Sequence, residues 1–244
     1  MRDAVHRVAL WRRLVAEFLG STLLATIVVG SGIAAQNLSP GSTGLELLEN
    51  ALVTGAGLFV IILIFGSVSG AHFNPVVSLV DAVLGGTSWR QVWSYVAVQV
   101  AGCVAGAILA NIMFASAVVS WSTHHRASGP HLVSEVLATA GLVLVIFSLA
   151  RNGKHAFTPA AVGAYITAAY FFTSSTSFAN PAITVGRMFS NSFAGIAPGS
   201  APAFILAQLV GAAVGLGAVQ VLYPSPLDRP VTSRPRDPAG PPSS

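Results

Sequence analysis

Apolar residues in this chain do not alternate with polar ones at the spacing of a surface helix or a half-buried strand. Several stretches run 18 or more residues with at most one charge, then give way to short polar breaks. Runs of that length match the thickness of a bilayer core and predict membrane-spanning helices. Six spans are expected, at about 10–35, 48–67, 91–117, 132–150, 157–176 and 201–223. Two shorter apolar segments, about 74–84 and 180–190, fall between spans two and three and between spans five and six. At 1.5 Å per residue such a segment reaches only about half of a ~30 Å hydrocarbon core. Both short segments are therefore expected to enter the membrane without crossing it.

Each short segment begins with Asn-Pro, in "SGAHFNPVVSLV" and "STSFANPAITVG". Asparagine is a favoured helix N-cap because its side-chain oxygen accepts from an unpaired backbone N–H. Proline is favoured at the first helical position, where its missing N–H costs nothing. Asn74 and Asn180 therefore predict two helix starts.

Other landmarks repeat as well. "VAEFLGSTLLATIVV" (15–29) is echoed by "VSEVLATAGLVLVIF" (133–147), which matches Glu17 with Glu135. "YVAVQVAGCVAGAI" (95–108) is echoed by "FILAQLVGAAVGLGA" (204–218), which matches Gln99 with Gln208. Repeat one covers about 10–117 and repeat two about 132–223. Each holds three spans, so the second enters the membrane inverted relative to the first. Inverted repeats with interrupted helices in matching positions mark transporters and channels, with the site near the midplane.

The symmetry brings the two helix starts together at the bilayer centre. Each N-terminus carries about half a positive elementary charge, and each asparagine keeps an NH₂ donor after capping. The device this predicts is a pore that passes neutral hydrogen-bonding molecules and opposes ions. Non-helical backbone at this depth must border protein or a wet cavity. "GSVSGAH" and "FTSSTSFA" fit that need, with carbonyls that form a ladder of acceptors.

Composition narrows the picture. The 244-residue chain is 53% hydrophobic and 8% charged, against about 25% charged in soluble domains. Its mean hydropathy is +0.72. The formal charge of +4 is dispersed over chain ends and loops, which argues against a nucleic-acid partner. Arg2, Arg7, Arg12, Arg13, Arg90, Arg151, Lys154, Arg229, Arg234 and Arg236 all fall on one side, which should be the cytoplasm. Only Arg126 falls in an outer loop. The basic N-terminal lead runs into a spanning segment, not a cleavable signal. Residues 1–223 are expected to form the channel unit, and the Pro- and Arg-rich stretch 224–244 a disordered cytoplasmic tail. Cys103, the single cysteine, reads as a buried packing residue.

Glu17 and Glu135 are costly charges at membrane depth. They read either as a proton relay or, more economically, as acceptors for the N–H groups of the re-entrant loops, which Gln99 and Gln208 would help to hold. "GCVAG" (102–106) and "GAAVG" (211–215) have the small-xxx-small spacing of close helix packing.

"AEFLG", "SGAHFNPV", "FANPA" and the doubled architecture resemble the aquaporin and aquaglyceroporin (major intrinsic protein) family over about residues 10–223. The pattern is closest to members that lack the constriction arginine, found in arsenic-resistance settings. The resemblance implies an all-α membrane protein with six transmembrane helices plus two re-entrant half-helices, a pore in each protomer, and a homotetramer in the plasma membrane with both termini cytoplasmic. It makes Asn74 and Asn180 the paired pore asparagines. The first motif departs from the family in reading Asn-Pro-Val, with Val76 adding two methyl groups where the halves meet. In the second motif, the family's arginine three residues after the asparagine is replaced by Ile183. The other constriction positions are Thr54 and Ser177, with Ala168 from gapless spacing or Tyr170 from alignment on Gly163. Arg187, one helical turn beyond Ile183, either folds back to replace the missing guanidinium or pairs with an outer loop.

His72 is expected at the inner pore mouth, as a pore-lining, pH-sensitive or structural side chain. His124, His125 and His131 lie in the outer loop "WSTHHRASGPHL", which reads as flexible and solvated more than as a metal site. No cofactor or metal is implied, and no nucleophile, base or phosphate loop suggests an enzyme. The function expected is a passive channel for small neutral solutes: water, glycerol-like polyols and neutral metalloid acids such as arsenite. The rivals are a strict water channel and a coupled secondary transporter of the same symmetry.

Overall fold

The computed structural model describes residues 8–223, all of whose regular elements are helical. Arg2, Arg7, Arg229, Arg234, Arg236 and the 224–244 segment lie outside the described residues. Helix α1 is Leu10–Leu38, α2 is Thr43–Ser69 and the short α3 is Pro75–Val83. Helix α4 is Trp89–Met113, α5 is Gly129–Arg151 and α6 is Thr158–Phe172. The short α7, Pro181–Gly186, runs into a 3₁₀ turn at Arg187–Phe189, and α8 is Ala201–Leu222.

Five of these helices are long and apolar enough to cross a membrane by themselves. Of the six expected spans the exception is α6, at 15 residues, about 22 Å of rise. The sequence pattern had carried this span to residue 176. The helix instead ends at Phe172, and Thr173 turns into extended backbone. The apolar and small residues that follow belong to a loop returning inward to Asn180. At the other end of the pattern, α2 begins five residues before the expected 48. Glu46 and Glu49 break the hydropathy there, yet Glu49 is used to accept from the Ser39 hydroxyl at 2.8 Å.

The packing repeats with the sequence. Helix α1 packs on α4 as α5 packs on α8, and α1 on α2 as α5 on α6. Glycines allow the first of these approaches. A Cβ on Gly102 or Gly106 would meet the α1 carbonyls of Phe18 or Thr22 at 2.5 and 2.2 Å, and one on Gly211 or Gly215 would meet those of Val136 or Ala140 at 2.5 and 2.6 Å. Helices α2 and α6 join the halves, and both short helices wedge against α4 and α8. Large apolar side chains such as Leu63, Val133, Phe172 and Val214 remain exposed around the outside, which is the surface a bilayer would cover. Cys103 is fully buried and free.

Candidate functional site

The site is built on the heads of the two short helices. Asn74 Oδ1 accepts from Val76 N at 3.1 Å. Asn180 Oδ1 accepts from Ala182 N at 2.9 Å and Ile183 N at 3.3 Å. Proline follows each cap. The carboxamides then reach across the symmetry axis. Asn74 Nδ2 donates to Ala179 O, and Asn180 Nδ2 donates to Phe73 O, both at 2.8 Å. Each NH₂ has two hydrogens, so one fixes the opposite loop and one is left. Both residues line the same cavity.

The loops that precede the caps adopt a backbone the sequence did not reveal. Counting back from each asparagine, φ is positive at positions −4, −3 and −1: Gly70, Ala71 and Phe73 in one half, Thr176, Ser177 and Ala179 in the other. Side chains other than glycine resist this region, so the surroundings must enforce it. The buried carboxylates do so. Glu17 accepts from His72 N at 2.9 Å and Phe73 N at 2.7 Å. Glu135 accepts from Phe178 N and Ala179 N, both at 2.9 Å. Gln99 donates to Glu17 at 2.8 Å and to Ser78 Oγ at 3.1 Å. Gln208 likewise donates to Glu135 at 2.6 Å and Thr184 Oγ1 at 2.9 Å. Ser78 and Thr184 pass the chain on to the carbonyls of Asn74 and Asn180. Both carboxylates are thus saturated with donors, as loop supports are.

A cavity of about 170 Å³ runs past both asparagines, with walls that include Leu24, Leu58, Leu142 and Val162. Its outer end holds Thr54, Tyr170, Ser177, Ile183 and Arg187. The Tyr170 hydroxyl lies 3.2 Å from Thr54 Oγ1. Ala168, the gapless candidate, is exposed on the opposite side of α6 and is not part of this wall. Two positions on a helix lie about 200° apart, so with Tyr170 buried and facing the cavity Ala168 faces away. Arg187 is only 2% exposed. Its Nε donates to the carbonyl of Ala194, and its guanidinium lies 3.3 Å from the centre of the Phe178 ring. Of the two options the sequence left open, the bond to Ala194 O is the outer-loop one, and the side chain also lines the cavity with Ile183. Val76, expected near the meeting point of the halves, is fully buried in a cluster with Val80, Val143 and Val219.

At the inner end, His72 lines the cavity with Arg13, Asp81 and His155. His72 Nδ1 lies 3.0 Å from Ser78 Oγ, and Nε2 lies 4.0 Å from Asp81 Oδ2. Arg13 donates to the Tyr95 hydroxyl at 2.9 Å, which itself donates to Ser69 O at 2.9 Å. The sequence pattern marks Arg13 only as an orientation charge. Its place one turn before Glu17 on the same helix face was the signal that it points inward.

The outer loop departs from expectation. Its backbone is pinned by Ser122 N to Met188 O at 3.0 Å, Ala197 N to His124 O at 2.8 Å and Arg126 N to Ser200 Oγ at 3.0 Å. Polar loop composition hid this, because the partners are backbone carbonyls and hydroxyls far away in sequence. Burial, reinforced by the charge of Arg126, pushes the His124 imidazole below its ordinary range. Among the described residues, no three His, Cys, Asp or Glu side chains gather as a metal site.

Two inverted, capped half-helices meeting on one cavity define a membrane channel for small solutes. A family model described as "Major intrinsic protein" matches residues 4–179, and the chain belongs to that family. It is 47% identical over 213 residues to "Aquaglyceroporin AqpS" of Rhizobium meliloti (strain 1021), covering 87% of this chain and 91% of the relative. It is 30% identical over 261 residues to the "Glycerol uptake facilitator protein" of Pseudomonas aeruginosa PAO1, covering 91% and 92%. The X-ray structure of the aquaglyceroporin from Plasmodium falciparum shares the fold, with a TM-score of 0.68 at 20% identity over 86% of this chain and 96% of that one.

Proposed function

We propose that this protein is a passive channel that conducts small neutral solutes, water and glycerol-sized polyols among them, down their gradients. The observation that carries the reading is the reciprocal pair of carboxamide bonds from Asn74 and Asn180 at the wall of one cavity. The spare N–H of each would orient a solute oxygen toward both asparagines. Two helix N-termini at that point would repel a cation or a migrating proton. The relatives named as an aquaglyceroporin and a glycerol facilitator support the solute class.

The selectivity constriction we assign is Thr54, Tyr170, Ser177, Ile183 and Arg187. Ile183 supplies an apolar flank, Tyr170 and Ser177 offer hydroxyls, and Arg187 supplies a guanidinium one turn further out than the family's usual one. An apolar residue at 183 lowers the penalty for solutes bulkier than water. Neutral trivalent metalloid acids such as arsenite, of glycerol-like size, belong to the same class. A coupled transporter would need an ionisable group beside the paired asparagines; Glu17 and Glu135 are spent on loop N–H groups there, and the cavity-lining His72, Asp81 and His155 lie at the inner end. A homotetramer of channel units spanning 1–223, in the plasma membrane with both termini cytoplasmic, completes the proposal.

The test is a light-scattering comparison of water, glycerol and arsenite entry into proteoliposomes. All three entering faster than in protein-free vesicles supports the assignment. Accelerated water entry alone would leave a strict water channel.

A further inference from the structure

Arg126 is the one outer-loop cation the sequence singled out and the proposed constriction does not use. It is half-buried, yet it is absent from the cavity wall. Its Nε donates to Gly195 O and its Nη2 to Phe193 O, both at 2.8 Å. Arg187 donates to Ala194 O, the carbonyl between those two. Three consecutive carbonyls are therefore held by two guanidiniums that come from different parts of the chain. Both guanidiniums also lie over the ring of Phe178, Arg126 at 5.4 Å and Arg187 at 3.3 Å from its centre. That ring is fixed: it packs edge-on against Phe204 at 5.2 Å, and its backbone N–H is bound by Glu135. The hydroxyl of Ser200 accepts from the backbone of Arg126 at 3.0 Å and Ala127 at 3.3 Å, which anchors the loop from behind.

Two like charges on one aromatic ring repel each other. Among the described residues neither forms an ion pair with an acid within 4.0 Å, so the carbonyls and the ring must hold both. An arginine fork that bridges two carbonyls is rigid in a way that a single ammonium is not. Burial pushes the Arg126 guanidinium below its ordinary range.

We infer that Arg126 is a positioning residue for solute selectivity: its fork fixes the 193–195 backbone, and the carbonyl so fixed aims Arg187 at the constriction. This rests on the reading of Arg187 as a solute-facing group. Without the fork, the Ala194 carbonyl is free to move and Arg187 swings out toward the vestibule. The opening widens for glycerol more than for water.

The experiment measures the ratio of glycerol to water permeability in proteoliposomes for the wild type, Arg126→Ala, Arg126→Lys, Arg187→Ala and the Arg126→Ala/Arg187→Ala double variant. A ratio is independent of how much folded protein each vesicle holds. Arg187→Ala is expected to raise it by about tenfold, the scale of one lost hydrogen bond to a charged group. Arg126→Ala should raise it in the same direction, and the double variant should match Arg187→Ala alone. Arg126→Lys, which keeps the charge but reaches one carbonyl instead of two, should fall between wild type and Arg126→Ala. It also carries the comparison if the alanine variant does not fold. A normal ratio in both Arg126 variants beside a raised ratio in Arg187→Ala would overturn the inference and leave the constriction intact. So would two shifts that multiply in the double variant. An unchanged ratio in Arg187→Ala would remove Arg187 from the constriction and the inference with it.

Discussion

In the proposed constriction, selectivity turns on Ile183. It is 4% exposed and lines the cavity next to Arg187, so a side chain placed there has little room to avoid the solute path. A guanidinium at 183 would narrow the passage and add a second cation beside Arg187. Ile183→Arg is expected to lower glycerol permeability by about tenfold, a change of about 1.4 kcal/mol in barrier, while water entry stays within about twofold. Stopped-flow measurement of both solutes checks this, and equal losses for the two would count against a filter role. Asn74 and Asn180 were legible because Asn-Pro states a helix start in local chemistry alone. Tyr170 was legible only as one of two options, since nothing local in the sequence marks which face of α6 turns to the cavity. The partners of Arg126 left no trace, because it binds backbone carbonyls nearly seventy positions away.

At the level of elements, the half-helices are held by buried carboxylates, each accepting from the two backbone N–H groups before the cap and from a glutamine, with Ser69 adding a hydroxyl donor to Glu17. Spans, half-helices and their order could be read from hydropathy length and caps. The left-handed residues before each cap could not, since Ala, Phe, Ser and Thr disfavour that region and only the tertiary contact to Glu17 or Glu135 compensates. Glu135→Gln replaces one acceptor oxygen with a donor that faces Ala179 N, Phe178 N or Gln208. The loss should be about 2–3 kcal/mol, read as a lower unfolding temperature in detergent, and Glu17→Gln should behave alike. A stability unchanged by either would show that the loops hold their shape without them. The glycine contacts make a second prediction. Gly211→Leu would force α5 and α8 apart at a 2.5 Å backbone approach, with a cost of several kcal/mol expected from overpacking against a carbonyl. Poor yield of folded protein would register it, and normal yield would argue that the helices slide freely.

For the whole molecule, the inverted repeat was the strongest signal in the sequence, because three matched landmarks recur in order. The wedge of both short helices between α4 and α8 follows from that symmetry, as does the meeting of the caps. Assembly is a separate matter and belongs to the proposal. The proposed tetramer of 25.0 kDa chains predicts a fourfold mass in nanodiscs by native mass spectrometry; a monomer at all concentrations would contradict it. The central claim is that uncharged cargo moves through a fixed pore without coupling. It is tested most directly by glycerol entry into proteoliposomes, followed with and without proton and sodium gradients, and with ionophores added. The account predicts entry rates that rise in proportion to the glycerol gradient and ignore the ion gradients. Entry that stops when an ion gradient is collapsed would contradict it.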